Sequence, residues 1–100
     1  MPISIDQLRV PKGDEPPLED QVLAFLERDP HHAFTLLEIL AGVRRYPSVD
    51  AALVDLLRLD ALAQEAIIHE YRNALGYLML EDQIIAGERE GEGYYYRSPR

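Results

Sequence analysis

One hundred residues, 47% of them hydrophobic, suffice for a single domain around one core. The 18 acidic residues outnumber the 10 basic ones, and the formal charge of -8 argues against tight, non-specific binding to DNA or to an anionic membrane. Cysteine is absent, which excludes disulfides, thiol nucleophiles and zinc–thiolate sites.

Residues 1–17 read as an arm. Pro2, Pro11, Gly13, Pro16 and Pro17 oppose a helix, while Ile3, Ile5, Leu8 and Val10 offer apolar contacts to the body or to a partner. Met1 to Val10 lacks a charged segment followed by an apolar run, so no signal peptide is expected. No apolar stretch approaches the roughly 20 residues that cross a bilayer, and the expected location is the cytoplasm.

The first helix is expected from about Pro17 to Arg28. Pro17 suits a first helical position, Glu19 and Asp20 favour the positive end of the dipole, and Leu18, Val22, Phe25 and Leu26 share a face. Asp29-Pro30 ends it, and His31 to Phe34 forms a connection able to make a small strand. Thr35 and Glu38 have the spacing of a capping box for a second helix carrying Leu36, Leu37, Ile39, Leu40 and Val43. Gly42 and Pro47 bracket the end of that helix, with Arg44-Arg45-Tyr46 in its exit.

Ser48 caps the next segment, with Asp50 in its first turn. One unbroken helix from Val49 to Asp82 would be about 50 Å long, so a break is expected near Leu59-Asp60-Ala61, where the apolar stripe changes phase. Val49, Leu53, Leu56 and Leu57 belong to the earlier part, and Ile67, Ile68, Tyr71, Leu75 and Leu78 to the later. Ile84-Ile85-Ala86 suits a strand, Gly87 to Gly93 a turn, and Tyr94-Tyr95-Tyr96 a returning strand with alternate rings on opposite faces.

The run from Val22 to Leu40, and that from Tyr71 through Ile85 into the glycine-bearing hairpin, resemble the winged helix-turn-helix superfamily of bacterial transcription regulators, PadR-like members and their relatives. The resemblance covers about two-thirds of the chain and rests on patterns rather than signatures. It implies a mainly α fold with a small antiparallel β wing, residues 18–97 forming the winged-helix domain with an extra helical segment near 47–62. Either 35–43 or 49–58 would be the second helix of the helix-turn-helix. The chain departs from the family at Asp82-Gln83, where a glycine is usual, and in a wing carrying Glu88, Glu90 and Glu92 against Arg89 and Arg97.

If Ile67, Ile68, Tyr71, Leu75 and Leu78 face the core, then Glu65, His69, Arg72, Asn73 and Gly76 face outward. Arg and Asn read guanine and adenine edges in a major groove, and His69 can bond a base or phosphate. The same residues also describe an ordinary solvated face, on which Glu65, Glu70, Glu81 and Asp82 outnumber Arg72. Arg44 and Arg45 can grip a phosphate or simply complement a helix dipole. Arg89 can enter a minor groove or sit on an exposed turn. Tyr94 and Tyr96 can offer stacking rings or cover the sheet, with Tyr95 on the core.

No catalytic motif stands out: the chain has no nucleophile elbow, and the wing glycines lack the Lys-Ser/Thr of a phosphate loop. Neither an enzyme, a metal nor a cofactor is expected. The leading expectation is a DNA-binding transcriptional regulator, a homodimer on double-stranded DNA, using His69, Arg72 and Asn73 on bases, Arg44 and Arg45 on phosphates and Arg89 in the wing. Dimerisation is expected through the apolar faces of 49–60 and the arm. The alternative is an acidic winged-helix module that meets a basic protein partner and does not bind DNA.

Overall fold

A computed structural model describes residues 16–99. The packing expected of the arm falls outside these residues except at Pro16 and Pro17, which are exposed. The described chain is mainly helical, with one two-stranded antiparallel sheet. Its elements are α1 (Leu18–Glu27), α2 (Leu36–Val43), α3 (Val49–Leu57), α4 (Ala61–Leu80), β1 (Ile84–Arg89) and β2 (Glu92–Arg97).

Local chemistry sets the helix starts. The Pro17 carbonyl accepts from the Asp20 and Gln21 amides at 3.0 and 3.1 Å, opening α1 one residue later than the expected start. Thr35 and Glu38 form the expected capping box: the Glu38 amide donates to Thr35 Oγ1 at 3.2 Å and the Thr35 amide to Glu38 Oε1 at 2.9 Å. Ser48 Oγ accepts from the Ala51 amide at 3.1 Å, and Asp60 Oδ1 from the Ala63 amide at 2.8 Å. Asp60 therefore starts α4 where the break was expected, and Arg58 to Asp60 separate it from α3.

The helix ends differ from expectation. Gly42 was expected to bracket the end of α2, but it lies inside the helix, and Arg45 takes the left-handed position with φ 61°. The Tyr46 amide reaches the Ala41 carbonyl at 2.9 Å and the Arg45 amide reaches Gly42 at 3.2 Å, the paired bonds of a Schellman end. Asp82, with φ 58°, does the same for α4: the Gln83 amide donates to Leu78 at 2.9 Å and the Asp82 amide to Met79 at 3.1 Å. The left-handed turn is thus made without the usual glycine. Gly42 serves packing instead, because a Cβ there would collide with the ring of Phe25. That ring in turn stands edge-on to Phe34, with centroids 5.0 Å apart.

The core gathers Val22 and Leu26 of α1, Ile39, Leu40 and Ala41 of α2, Ala52 and Leu56 of α3, Tyr71, Ala74, Leu75 and Leu78 of α4, and Ile84 of β1. Fully burying one such Leu or Ile contributes about 1.5–3 kcal/mol. α4 packs chiefly on α1, whereas α3 packs on α2. Leu57, expected on the apolar face of its segment, is 73% exposed, because α3 buries only the Ala52–Leu56 edge.

The hairpin register pairs Ile84 with Arg97, Ala86 with Tyr95, Gly87 with Tyr94 and Arg89 with Glu92. The turn is therefore the two residues Glu90-Gly91, with φ 55° and 80°, and not the whole span from Gly87 to Gly93. Gly87 and Gly93 sit in the ladder, opposite Tyr94 and Glu88, where no positive φ is needed. Two residues of positive φ match the right-handed twist of the flanking strands. Phe34 forms a bridge to Tyr95, N–H to carbonyl in both directions at 2.8 Å, adding one rung to the sheet edge.

Candidate interaction surface

Arg97 is consumed by the scaffold. Its Nε donates to Glu27 Oε1 at 3.2 Å, and its Nη1 to the Gln83 carbonyl at 2.7 Å. One guanidinium thus ties the end of α1 to both ends of the hairpin. Sequence reading counted it as a wing cation, because its partners lie 70 and 14 residues away. Arg58 lies 3.7 Å from Asp55 on the same helix turn. Tyr46 donates to Asp55 Oδ2 at 2.7 Å, locking the exit of α2 onto α3. That bond to Asp55 holds the Tyr46 hydroxyl above its ordinary pKa, with desolvation and the Asp55 charge adding in the same direction and Arg44 opposing.

The residues expected to touch nucleic acid are all exposed, and they fall into four grooves rather than one. Arg44 and Asn73 line a cleft of about 560 Å³ between α1 and α4, together with the carboxylates of Glu19 and Glu70. Arg45 lines a different groove, beside Asp20 and Arg28. His69 and Arg72 border a shallow groove along α4 with Glu65. Arg89 lines a cleft under the hairpin with Tyr94, Tyr96 and Glu88. Each cationic group on this list has a carboxylate beside it in its groove. Tyr95, on the opposite face from its neighbours, packs against the core.

Among the described residues no three His, Asp or Glu side chains are grouped as a metal site. Glu65 precedes His69 by four residues on α4, so a ligand-pair spacing is present where none was expected, but two donors alone do not fill a coordination shell. No described helix is long and apolar enough to cross a membrane.

The outward face of α4, expected to carry Glu65, His69, Arg72, Asn73 and Gly76, also carries a leucine at each end. Leu62, Ala66, His69, Asn73, Gly76 and Leu80 recur at intervals of four, three, four, three and four residues, so they form one stripe along the helix. Leu62 is 80% exposed and Leu80 87%. Gly76 has open space where a Cβ would stand. The stripe contains no carboxylate and no arginine, although Glu65 and Arg72 flank one side and Glu70 the other. Reading α4 for two apolar stripes rather than one would have found it, since Leu62 and Leu80 lie off the core-facing set.

No protein-family model matches the chain, and neither does any curated protein or solved structure. The surface chemistry therefore carries the functional argument.

Proposed function

We propose that this protein is a winged-helix-type interaction module that docks another protein through the outward stripe of α4. The order helix, short bridge, three further helices and hairpin supports the winged-helix part, with α4 as the third helix of the bundle and α3 as an insertion before it. One observation carries the docking part. The cationic groups are scattered over separate grooves, each beside a carboxylate, whereas the α4 stripe is continuous, uncharged and apolar at both ends. An exposed leucine at each end of a helix face suits protein contact better than a phosphate backbone.

The second reading is a DNA-binding transcriptional regulator, favoured by that same element order. In it α4 enters the major groove, with His69, Arg72 and Asn73 on bases, Arg44 and Arg45 on phosphates and Arg89 at the wing. Fluorescence anisotropy with mixed duplex DNA, titrated from very low to physiological salt, separates the two. The interaction module leaves the anisotropy unchanged even at the lowest salt. Binding that weakens steeply with salt would reverse the order of the readings, and Arg72→Ala with Asn73→Ala would then abolish specific binding.

A further inference from the structure

We propose that the cleft between α1 and α4 is a binding site for a small primary amine with an apolar body; the proposal stands apart from both functional readings above. Its starting point is Tyr71, whose side chain is 2% exposed. Among the described residues no donor or acceptor meets the Tyr71 hydroxyl, and yet no side-chain polar atom there is both sealed from solvent and unpaired. The exposed remnant is therefore the hydroxyl itself. It emerges in the cleft of about 560 Å³ that Tyr71 lines. A phenol set in the core that opens only there leaves its hydrogen bond to what the cleft holds.

The rest of the wall sets the class of occupant. Leu18, Val43 and Ala74 supply apolar surface beside the Tyr71 ring. Glu19 of α1 and Glu70 of α4 bring carboxylates from both sides, and among the described residues neither makes an ion pair. Arg44 is the cation on the wall. It also borders the adjoining groove with Tyr46 and Asp55, where that carboxylate offsets it. Two carboxylates against one guanidinium leave the cleft net negative, and a chain of formal charge -8 gathers cations and repels anions.

A primary ammonium carries three N–H donors, and Glu19, Glu70 and the Tyr71 hydroxyl can accept them. The volume lies within the roughly 300–1,000 Å³ of small-ligand sites. An aryl or short alkyl body would cover the apolar wall and touch α1, the exit of α2 and α4 together, so binding would hold the three against one another. The cleft meets the α4 stripe only at Asn73, which keeps amine binding and protein docking separable by substitution.

The test is a titration of the full chain with phenethylamine, followed by amide chemical shifts and by melting temperature. Phenethyl alcohol and hydrocinnamate serve as the uncharged and anionic counterparts of similar size. The amine should saturate, shift the amides of Leu18, Val43 and Ala74, and raise the melting temperature once its concentration exceeds the Kd. Phenethyl alcohol should bind about tenfold more weakly or worse, and hydrocinnamate should not bind. Tyr71→Phe keeps the ring and removes the hydroxyl; it should weaken the amine by about tenfold or more, the value of a hydrogen bond to a charged group. Glu19→Gln and Glu70→Gln should each weaken it by about two- to fivefold, an effect that fades with salt. Glu92→Gln takes the same charge from the hairpin and should leave the affinity unchanged. The melting temperature of each variant without amine checks its fold, and the two glutamate variants carry the test if Tyr71→Phe melts early.

No saturation by millimolar amine overturns the proposal, as do shifts that avoid the cleft. Hydrocinnamate or phenethyl alcohol binding as tightly as the amine overturns it through the charge. Wild-type affinity in Tyr71→Phe, or in the Glu19→Gln and Glu70→Gln double variant, overturns it through the site.

Discussion

Single side chains here do structural work at long sequence range. Arg97 joins α1, the start of β1 and the chain after β2 through three acceptors, Glu27, Gln83 and Ser98. Arg97→Ala should destabilise the fold by about 1–2 kcal/mol, the value of a charge-assisted bond discounted for partial exposure, while Glu27→Gln should cost less; urea denaturation measures both. Gly42→Ala forces a methyl into the Phe25 ring and should cost about 1–3 kcal/mol through overpacking, read as a lower melting temperature. Tyr46 gives a pH signature. Its pKa is raised in the folded protein by the Asp55 bond, so the neutral phenol is favoured there. The corresponding stability is fully present below the unfolded tyrosine pKa, near 10, and is lost as pH climbs through the higher folded value. Alkaline melts of wild type should fall faster above about pH 10 than those of Tyr46→Phe.

The elements are bounded by short-range chemistry that the sequence displays. The Thr35–Glu38 box, the Ser48 cap and the Asp60 cap stand where their residue types and spacing place them. The ends were less legible, since Arg45 and Asp82 hold left-handed positions usually given to glycine and only the tertiary packing of Tyr46 and Ile84 fixes the chain beyond them. Replacing Arg45 with Gly should relieve that conformation and stabilise by about 0.5–1 kcal/mol, net of the entropy glycine adds to the unfolded chain. Gly76 behaves oppositely: it sits inside α4 with space around it, so Gly76→Ala should stabilise the fold by about 0.5–1 kcal/mol. Thermal melts check both substitutions.

For the whole molecule, the sequence by itself determined the class of elements, their boundaries within a residue or two at most helix starts, the core-facing residues of α4, and an acidic, cysteine-free composition. These follow from periodicity, capping and charge, which act over a few residues. Tertiary structure decided the rest. Phe34 finds Tyr95 in the sheet, α4 rather than α3 packs on α1, and Arg97 is spent on scaffold bonds. The cations that look clustered along the chain are dealt into separate grooves beside carboxylates, because Arg45 itself makes the left-handed turn that follows Arg44. The same docking decides which face of α4 is left over. Once α1 covers Tyr71, Ala74, Leu75 and Leu78, the leucines at positions 62 and 80 stay outside. A helix face becomes a surface only when its opposite face has found a neighbour, and that choice depends on contacts between segments far apart in the chain.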